Sequence, residues 1–302
     1  MGYVIQTNNL VKQFGDEAAV DAISMAIPEG EVYGFLGPNG AGKTTTIRML
    51  LGLVKPTSGS IHIFNRNLKK ERIAILKQVG SLVENPSYYP HLTAKENLEA
   101  IRKVYRAPKT RIGEVLEIVR LSDVADKKVK EFSLGMKQRL GIAIALLHEP
   151  KLLILDEPTN GLDPSGIIEI RNLIKRLPSE FGMTVLISSH LLSEIDQIAT
   201  SVGIISDGKI IFQDSIDALR EHAQENIILR VHDGIKASQA LEGWGIKAES
   251  KDGLLYLHEH SDEYVAQVIR ALVEEGIAVY RVEEQKRSLE DIFLQMTKRN
   301  AI

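Results

Sequence analysis

The chain has 302 residues, 37 Lys and Arg, 40 Asp and Glu, a formal net charge of −3 and no cysteine. This length predicts about two domains, and the near-neutral charge argues against a surface built throughout for nucleic acid. The composition excludes disulfides and cysteine metal sites, and no apolar run reaches the ~18 residues of a membrane span, so we expect a soluble, cytoplasmic chain.

The first two thirds of the chain alternate strand, loop and helix. Residues 3–27 form short apolar–polar runs around a turn at Gly15-Asp16, which predicts strands. The next predicted elements are a buried strand over 31–36, a helix over 44–53, a strand pair over 57–67, a mostly helical stretch over 92–148, and buried strands over 152–155 and 184–188. This order predicts an α/β core with a mainly parallel sheet, interrupted by a helical insertion.

The pattern changes near residue 215, where we place a domain boundary between 1–215 and 216–302. A polar helix is predicted over 216–224, followed by strands over 226–231, 246–249, 254–258 and 278–283. A helix capped by Ser261 and a weaker helix over 235–241 complete a β-α-β-β-α-β order, the ferredoxin-like α+β pattern. A last short helix is predicted from Ser288.

A glycine-rich stretch connects the strand over 31–36 to the helix over 44–53. It fits the pattern G-x-x-x-x-G-K-[ST] with Gly37, Pro38, Asn39, Gly40, Ala41, Gly42, Lys43 and Thr44. Glycines let backbone N–H groups turn toward phosphate oxygens, and the helix presents its positive end to the same anion. We expect Lys43 to reach the β and γ phosphates and Thr44 to offer its hydroxyl to Mg²⁺. The alternative, a glycine-rich turn without a ligand, is disfavoured by the strand–loop–helix context.

A carboxylate pair, Asp156 and Glu157, follows the buried strand over 152–155. Asp156 is expected to hold Mg²⁺ through water, because Mg²⁺ keeps part of its hydration shell. Glu157, expected on the opposite side of the pleat, is the candidate to polarise an attacking water. The alternative, that the pair only begins a helix before Pro158, loses its force beside a phosphate loop.

Four further motifs accompany these two. They are Phe14 before the loop, residues 132–139 between the loop and the carboxylates, and residues 161–163 and 188–190 after them. The set resembles the nucleotide-binding subunits of ABC transporters over about residues 3–215, and a signature such as 132–139 in that place is specific to this family. The resemblance implies a P-loop NTPase (RecA-like) core with an antiparallel β subdomain, a helical insertion over about 86–150, ATPase activity, and ATP and Mg²⁺ as cofactors.

The resemblance also implies roles for single residues. Phe14 matches the aromatic that stacks on adenine, and Thr45 joins the phosphate-loop residues in nucleotide binding. Ser133 and Gly135 match the signature that contacts the γ phosphate held by a second subunit. Asp163 matches the D-loop, and His190 matches the switch histidine.

Ser133 and His190 each have a structural alternative. Ser133 precedes an apolar helical stretch, so it can simply be an N-cap; the same geometry also binds phosphate. His190 follows a buried strand, where a satisfied structural histidine is common, but near a γ phosphate it can donate a hydrogen bond. Its position and the resemblance favour that role. His258 and His260 have metal-ligand spacing on a predicted strand, but no third ligand is evident, which favours a surface position.

Two positions depart from the family pattern. Glu84 stands where most members have a Gln that touches Mg²⁺ or the water; it keeps an oxygen ligand, adds a charge and loses the amide donors, which is expected to slow or re-time hydrolysis. Leu134 stands where the signature usually has Gly, and can offer its N–H if the site does not require a positive φ. With the C-terminal extension, both resemble the bacitracin- and lantibiotic-type exporter branch.

These features predict an ATPase subunit that drives a separate membrane-spanning permease. ATP is expected to close a homodimer and hydrolysis to reopen it, with the chain peripheral on the inner face of the cell membrane. Residues 84–100, including Tyr88 and Tyr89, are the expected wall of the permease groove, although exposed loop aromatics would look the same. No nucleic acid partner is expected.

Three alternatives belong to other classes. A soluble ABC-type ATPase acting on nucleic acid or ribosomes would usually show two cassettes, a long coiled-coil insertion or a basic patch, none of which the sequence contains. An unrelated P-loop kinase would not explain residues 132–139. A binding module without hydrolysis is disfavoured because Glu157 and His190 are both present.

Overall fold

The computed structural model describes residues 2–83, 87–221, 226–246, 248–251, 253–257, 261–285 and Phe293. They fall into two compact units, one ending at Ile216 and the other beginning at Asp217. The positions of Glu84, His258 and His260 lie outside the described residues, as does the predicted helix after Ser288 except for Phe293.

The elements of the first unit, in chain order, are β1 (Tyr3–Phe14), β2 (Glu17–Ile23), β3 (Ala26–Pro28), β4 (Val32–Leu36), α1 (Lys43–Leu50), β5 (Ser58–Ile63), β6 (Arg66–Asn67), α2 (Leu68–Leu76), β7 (Val79–Leu82), α3 (Ala94–Tyr105), α4 (Thr110–Ile118), α5 (Leu134–Leu146), β8 (Leu152–Asp156), α6 (Pro164–Phe181), β9 (Thr184–Ser189), α7 (Leu192–Ile195), β10 (Ser201–Ser206) and β11 (Lys209–Ser215). Short 3-10 turns cover Ser122–Val124 and Val129–Glu131.

A six-stranded sheet in the order β11-β10-β4-β9-β8-β7 forms the centre of this unit. All neighbouring strands pair in parallel except β10 and β11, which form an antiparallel hairpin. Every residue of β4, β8 and β9 is buried, as expected for continuous apolar strands covered on both faces. The predicted mainly parallel sheet is confirmed.

An antiparallel sheet is the second layer of the unit. Its order is β2-β1-β5-β6, and β3 pairs with β1. One hydrophobic core joins the two sheets through α1, with Ile5 and Ile63 from the antiparallel sheet, Phe35 and Ile154 from the parallel sheet and Ile47 from the helix, all fully buried. Helix α1 ends at Leu50, three residues before the predicted end, because Gly52 takes a positive φ of 63°.

The helical insertion contains α3, α4 and α5. Helix α3 begins with a capping box, in which the Thr93 hydroxyl accepts from the Glu96 N–H and the Glu96 carboxylate accepts from the Thr93 N–H. Arg111 of α4 donates to the carbonyl of Leu146 and thereby joins the start of α4 to the end of α5. The predicted helical character of 92–148 is confirmed.

The carboxyl ends of β4, β8 and β9 lie side by side at one edge of the parallel sheet. Leu36 pairs with Ser189, and Asp156 pairs with Ser188. The loop after β4, the turn after β8 and the segment after β9 therefore start next to one another. Ligands of open parallel sheets bind outside this edge, so the fold predicts a ligand site there.

The second unit follows the predicted ferredoxin-like order. From Asp217 onward α8 (Ile216–Glu221) belongs to this unit. It is followed by β12 (Asn226–Val231), α9 (Gly234–Gly243), β13 (Ala248–Lys251), β14 (Leu254–Leu257), α10 (Asp262–Glu274) and β15 (Val279–Gln285). The strands pair antiparallel in the order β13-β14-β12-β15. Leu229, Leu255, Leu257, Leu241 and Leu272 are fully buried in its core.

Strand β13 begins two residues later than its apolar pattern predicts. Helix α9 extends to Gly243, and Gly245 takes a positive φ of 73°, so the chain is still turning at residue 246. Elsewhere in this unit the caps agree with the sequence, since the Ser261 hydroxyl accepts from the Tyr264 N–H at the start of α10.

None of the helices in the described part of the chain combines the length and the hydrophobicity of a membrane span.

Candidate functional site

The loop between β4 and α1 curls tightly around the start of the helix. Gly40 and Gly42 take φ values of 82° and 105°, which residues other than glycine rarely adopt. A Cβ on Gly42 would lie 2.4 Å from the carbonyl oxygen of Ala19, so the loop also needs glycine there for close approach. No side chain of the described residues caps the start of α1. The helix end is therefore available to an anion, as the sequence predicts.

Lys43 is folded over this loop. Its ammonium donates to the carbonyls of Gly37 at 2.7 Å and Pro38 at 3.2 Å, and its side chain is only 5% exposed. The charge is thus held at the centre of the loop by carbonyl oxygens and by one carboxylate, Glu157. Thr44 and Thr45, in the first turn of α1, are half-buried beside it.

Asp156 and Glu157 are held by a serine of the neighbouring strand. The Ser188 hydroxyl donates to Oδ1 of Asp156 at 2.5 Å and accepts from the backbone N–H of Glu157 at 2.9 Å. Ser188 is fully buried. One hydroxyl therefore fixes both residues of the carboxylate pair.

Glu157 does not continue the pleat of β8, contrary to the prediction that it faces the opposite side. The strand ends at Asp156, and Glu157 takes a left-handed φ of 47°. A non-glycine residue in this region carries backbone strain, which is frequent at functional sites. The turn brings the Glu157 carboxylate back toward the phosphate loop.

Glu157 lies between two basic side chains. Its Oε1 is 3.4 Å from Nζ of Lys43, and its Oε2 is 3.4 Å from Nδ1 of His190. The His190 contact is not a hydrogen bond, and Nδ1 is buried without a hydrogen-bond partner among the described residues. A cavity of about 190 Å³ borders Glu157 and His190 and is also lined by Asn160 and Gly161. This space is large enough for water or part of a ligand.

The signature residues 132–139 lie just before α5 and in its first turns. Ser133 caps α5 by accepting from the Met136 N–H at 3.2 Å. Leu134 is half exposed and does not take a positive φ, so a leucine is compatible with this backbone. No hydrogen bond among the described residues joins Ser133 or Gly135 to the phosphate loop.

Two other predicted site residues have local partners. Asp163 caps α6 by accepting from the Gly166 N–H at 2.9 Å. Phe14, at the end of β1, is 54% exposed, and the ammonium of Lys12 lies 4.7 Å from its ring centroid. Glu84 is not among the described residues, so its place in the site stays a prediction.

Lys43, Asp156, Glu157 and His190 thus come together, whereas the side-chain hydrogen bonds of Ser133 and Asp163 and the cation contact of Phe14 described above are local. The role of Ser188 was not predicted from the sequence, where this residue is only the first of the histidine motif 188–190. The register of two adjacent buried strands was the available signal, since Ser188 and Asp156 are buried polar residues that pair directly near the carboxyl ends of β9 and β8.

The family described as ABC transporter matches residues 20–160, and the C-terminal domain of DrrA1-3-like ATP-binding proteins matches residues 215–297. The chain is 46% identical over 300 residues to the bacitracin transport ATP-binding protein BcrA of Bacillus licheniformis, covering 98% of each chain. It is 45% identical over 214 residues to the lantibiotic transport ATP-binding protein SrtF of Streptococcus pyogenes, covering 71% of this chain and 92% of the relative.

Solved structures agree with this relationship. The structure of cbiO1 from Clostridium perfringens, part of the ABC transporter complex cbiONQ, superimposes with a TM-score of 0.68 at 29% identity, covering 72% of this chain and 91% of the other. The ATP-binding cassette MJ0796, a dimeric post-hydrolysis state bound to ADP and Pi, gives a TM-score of 0.62 at 28% identity, covering 70% and 98%. The predicted P-loop NTPase fold is confirmed. The chain belongs to the ATP-binding proteins of ABC transporters, which bind ATP and couple its hydrolysis to transport.

Proposed function

We propose that this chain binds Mg²⁺-ATP at residues 37–44 and 156, hydrolyses it with Glu157 and His190, and powers a separate membrane permease for export of, or resistance to, a peptide antibiotic. One observation carries the proposal for the site. Lys43, Glu157 and His190, which lie far apart in the sequence, form a row of contacts of 3.4 Å at the carboxyl edge of the sheet.

The residues fit a magnesium ion shared with a nucleotide. Asp156 is 5% exposed, and the only hydrogen bond to its carboxylate among the described residues comes from Ser188, so the carboxylate has capacity for a cation. The described residues contain no cluster of three or more metal-ligating side chains. In this proposal Mg²⁺ is bound by the Asp156 carboxylate, the Thr44 hydroxyl and substrate phosphates. When bound, Mg²⁺ supplies positive charge that neutralises the phosphate oxygens.

In the proposed reaction Glu157 orients a water molecule and accepts a proton from it while the water oxygen attacks the γ phosphorus. The bond from that phosphorus to the β–γ bridging oxygen breaks, and the products are ADP and phosphate. Lys43 binds the β and γ phosphates, and His190 donates a hydrogen bond to the γ phosphate or to the water. Phe14 stacks on the adenine ring. Glu84 is proposed to contact the metal or the water.

A second copy of the chain completes the site in this proposal. Ser133 and Gly135 at the start of α5, together with Asp163, would contact the γ phosphate held by the partner. Support comes from the exposure of Ser133, from its lack of a contact to its own phosphate loop among the described residues, and from the dimeric state of MJ0796. A dimer that forms around ATP separates when the γ phosphate leaves, which is the step that would move a permease.

The permease, the location and the cargo are proposed from the relatives. BcrA and SrtF carry names that describe transport of bacitracin and of a lantibiotic. We infer a peptide antibiotic of this kind as cargo, a permease that docks near residues 84–100 with Tyr88 and Tyr89, and a position on the cytoplasmic face of the membrane. An action on nucleic acid or ribosomes is not favoured by these similarities.

We also propose that 1–215 and 216–302 are separate domains. Two observations support this boundary. The structure divides into two compact units between residues 216 and 217, and a separate C-terminal family matches residues 215–297.

A resistance assay tests the transport proposal. The chain is expressed in a bacitracin-sensitive strain together with a candidate permease, a membrane protein encoded by an adjacent gene, and the minimal inhibitory concentrations of bacitracin and a lantibiotic are measured. The proposal predicts protection against at least one of them with the natural chain and loss of protection with Glu157→Gln. Equal protection from both versions, or protection from neither at matched expression, would reject the peptide-antibiotic assignment.

A further inference from the structure

Glu194 is a buried carboxylate next to the proposed catalytic pair. It lies on α7, is 8% exposed and borders the same cavity of about 190 Å³ as Glu157 and His190. Its Oε2 accepts two hydroxyl hydrogen bonds, from Thr159 at 2.7 Å and from Ser189 at 3.0 Å. No motif of the sequence analysis includes this residue.

Burying the carboxylate of Glu194 is unfavourable for the free energy of folding unless other interactions offset it. Among the described residues no Lys, Arg or His forms an ion pair with its carboxylate, and burying a charge without a counter-charge is unfavourable. Two hydroxyl donors reduce this cost but do not neutralise the charge. An apolar side chain of similar size would remove the buried charge but would leave both hydroxyls without this acceptor.

The two hydroxyls belong to the two segments that carry the catalytic candidates. Thr159 is two residues after Glu157, and Ser189 immediately precedes His190. The Ser189 hydroxyl also accepts from the Leu191 N–H at 3.0 Å. Because Ser189 and Leu191 flank His190 in the chain, this hydrogen bond spans the histidine. One carboxylate oxygen therefore ties the turn after β8 to the segment after β9.

Helix α7 is seated firmly enough to act as the anchor. Ile195, the neighbour of Glu194, is fully buried, and a Cβ on Gly34 of β4 would lie only 2.3 Å from its Cγ2. Helix α7 therefore packs directly on the backbone of the central sheet. A carboxylate on such a helix has little freedom to follow movements of the two segments.

We propose that Glu194 is a positioning residue, which holds the Glu157 and His190 segments in a fixed relation through the hydroxyls of Thr159 and Ser189. This inference depends on the proposed roles of Glu157 and His190. Small displacements of catalytic groups have large effects on rate, so removing the shared acceptor should lower turnover while ATP binding at the phosphate loop is retained.

The test compares Glu194→Leu with Glu194→Gln in the full chain. The Gln carbonyl oxygen can still accept from both hydroxyls, whereas Leu cannot. We expect Glu194→Leu to lower kcat for ATP hydrolysis on the order of 10-fold or more, with KM and the Kd for ATP changed by less than about 3-fold. We expect Glu194→Gln to stay within about 3-fold of the natural chain. Glu180→Leu, at an exposed site of α6, is the control for losing a carboxylate.

A double-mutant cycle separates positioning from a general structural effect. If Glu194 acts through Thr159, then Thr159→Val combined with Glu194→Leu should lower kcat no further than the stronger single substitution. A folded Glu194→Leu with kcat within about 2-fold of the natural chain, or fully additive losses in the cycle, would overturn the proposal. If Glu194→Leu does not fold, the test rests on Thr159→Val alone, because an unchanged kcat in Thr159→Val also overturns the positioning proposal.

Natural turnover in Glu157→Gln would overturn the proposed catalytic site and, with it, the positioning role of Glu194. An inactive Glu157→Gln together with a fully active Glu194→Leu would reject only the positioning role.

Discussion

The ammonium of Lys43 lies 3.4 Å from Oε1 of Glu157, and both side chains are largely buried. Lys43 begins α1 after β4, and Glu157 follows β8, so the ion pair joins two strands separated in the sheet by β9. The charge intended for phosphate and the candidate base are therefore neighbours. Changing either should affect a different step, binding for the lysine and turnover for the glutamate.

Lys43→Ala should weaken ATP binding about 10- to 100-fold, because a charge-assisted contact to phosphate contributes about 1.5–3 kcal/mol. Isothermal titration with Mg²⁺-ATP measures the change. Lys55→Ala, an exposed lysine after α1, is the matched control and should bind as the natural chain does. An unchanged Kd for Lys43→Ala would exclude the phosphate-loop role.

Ser188→Ala should reduce both stability and turnover. It removes the donor to Asp156 and leaves the Glu157 N–H without its side-chain acceptor, which costs about 1–3 kcal/mol for buried groups. We expect a kcat at least about 10-fold lower, since both carboxylates lose their support. Urea unfolding and ATPase assays measure the two effects, with Ser188→Thr as the variant that keeps the hydroxyl. Normal kcat in a folded Ser188→Ala would show that the hydroxyl does not position the pair.

A fragment of residues 1–215 should fold and bind ATP. The first unit has its own sheets and its own core, so the cut removes no strand from them. Circular dichroism and ATP titration of the purified fragment provide the measurement. An insoluble fragment, or a soluble one with a Kd more than about 10-fold weaker than that of the full chain, would argue against the boundary.

His148 should make stability depend on pH in the acid range. The imidazole stacks on Tyr105 at a centroid distance of 4.3 Å, and its Nε2 lies 3.2 Å from the Val79 carbonyl. Burial lowers the pKa of His148 below its usual value of about 6.5, and this effect outweighs the opposing hydrogen bond to Val79. The unfolded chain therefore binds the proton more tightly. The stability contributed by the neutral ring is fully present above pH of about 6.5 and is lost as the pH falls through the lowered pKa.

His148→Phe keeps an aromatic ring against Tyr105 but cannot titrate. The natural chain should lose more Tm than this variant between pH 7.5 and pH 5.5, measured by scanning calorimetry. The carboxylates titrate in both proteins and cancel in the comparison. Identical losses of Tm would mean that the environment of His148 does not favour the neutral ring.

Much of the fold and part of the site could be predicted from the sequence for identifiable physical reasons. Continuous apolar runs identify β4, β8 and β9 because strands of a covered parallel sheet are buried on both faces. The phosphate loop is recognisable because its glycines, its lysine and its helix start are contiguous. Asp156 could be placed because it ends such a strand.

Other features depend on contacts that a linear pattern does not contain. The strand pattern places Glu157 on the far side of the pleat, but a left-handed turn brings it to Lys43 instead. The roles of Ser188 and Glu194 arise from register and packing between segments about 30 residues apart, where a serine or a glutamate alone carries no signal. Strand β13 begins later than its apolar pattern predicts, because Gly245 takes a positive φ before it.

The most direct test of the account is phosphate release by Glu157→Gln under saturating Mg²⁺-ATP. Gln keeps the shape of the side chain but cannot accept the proton, and general-base catalysis contributes about 10²–10⁴-fold to such reactions. We predict that the variant binds ATP with a Kd within about 3-fold of the natural chain, forms an ATP-dependent dimer in size-exclusion chromatography, and releases phosphate at least about 100-fold more slowly. A rate equal to that of the natural chain would contradict the assignment of Glu157 as the base and, with it, the proposed mechanism.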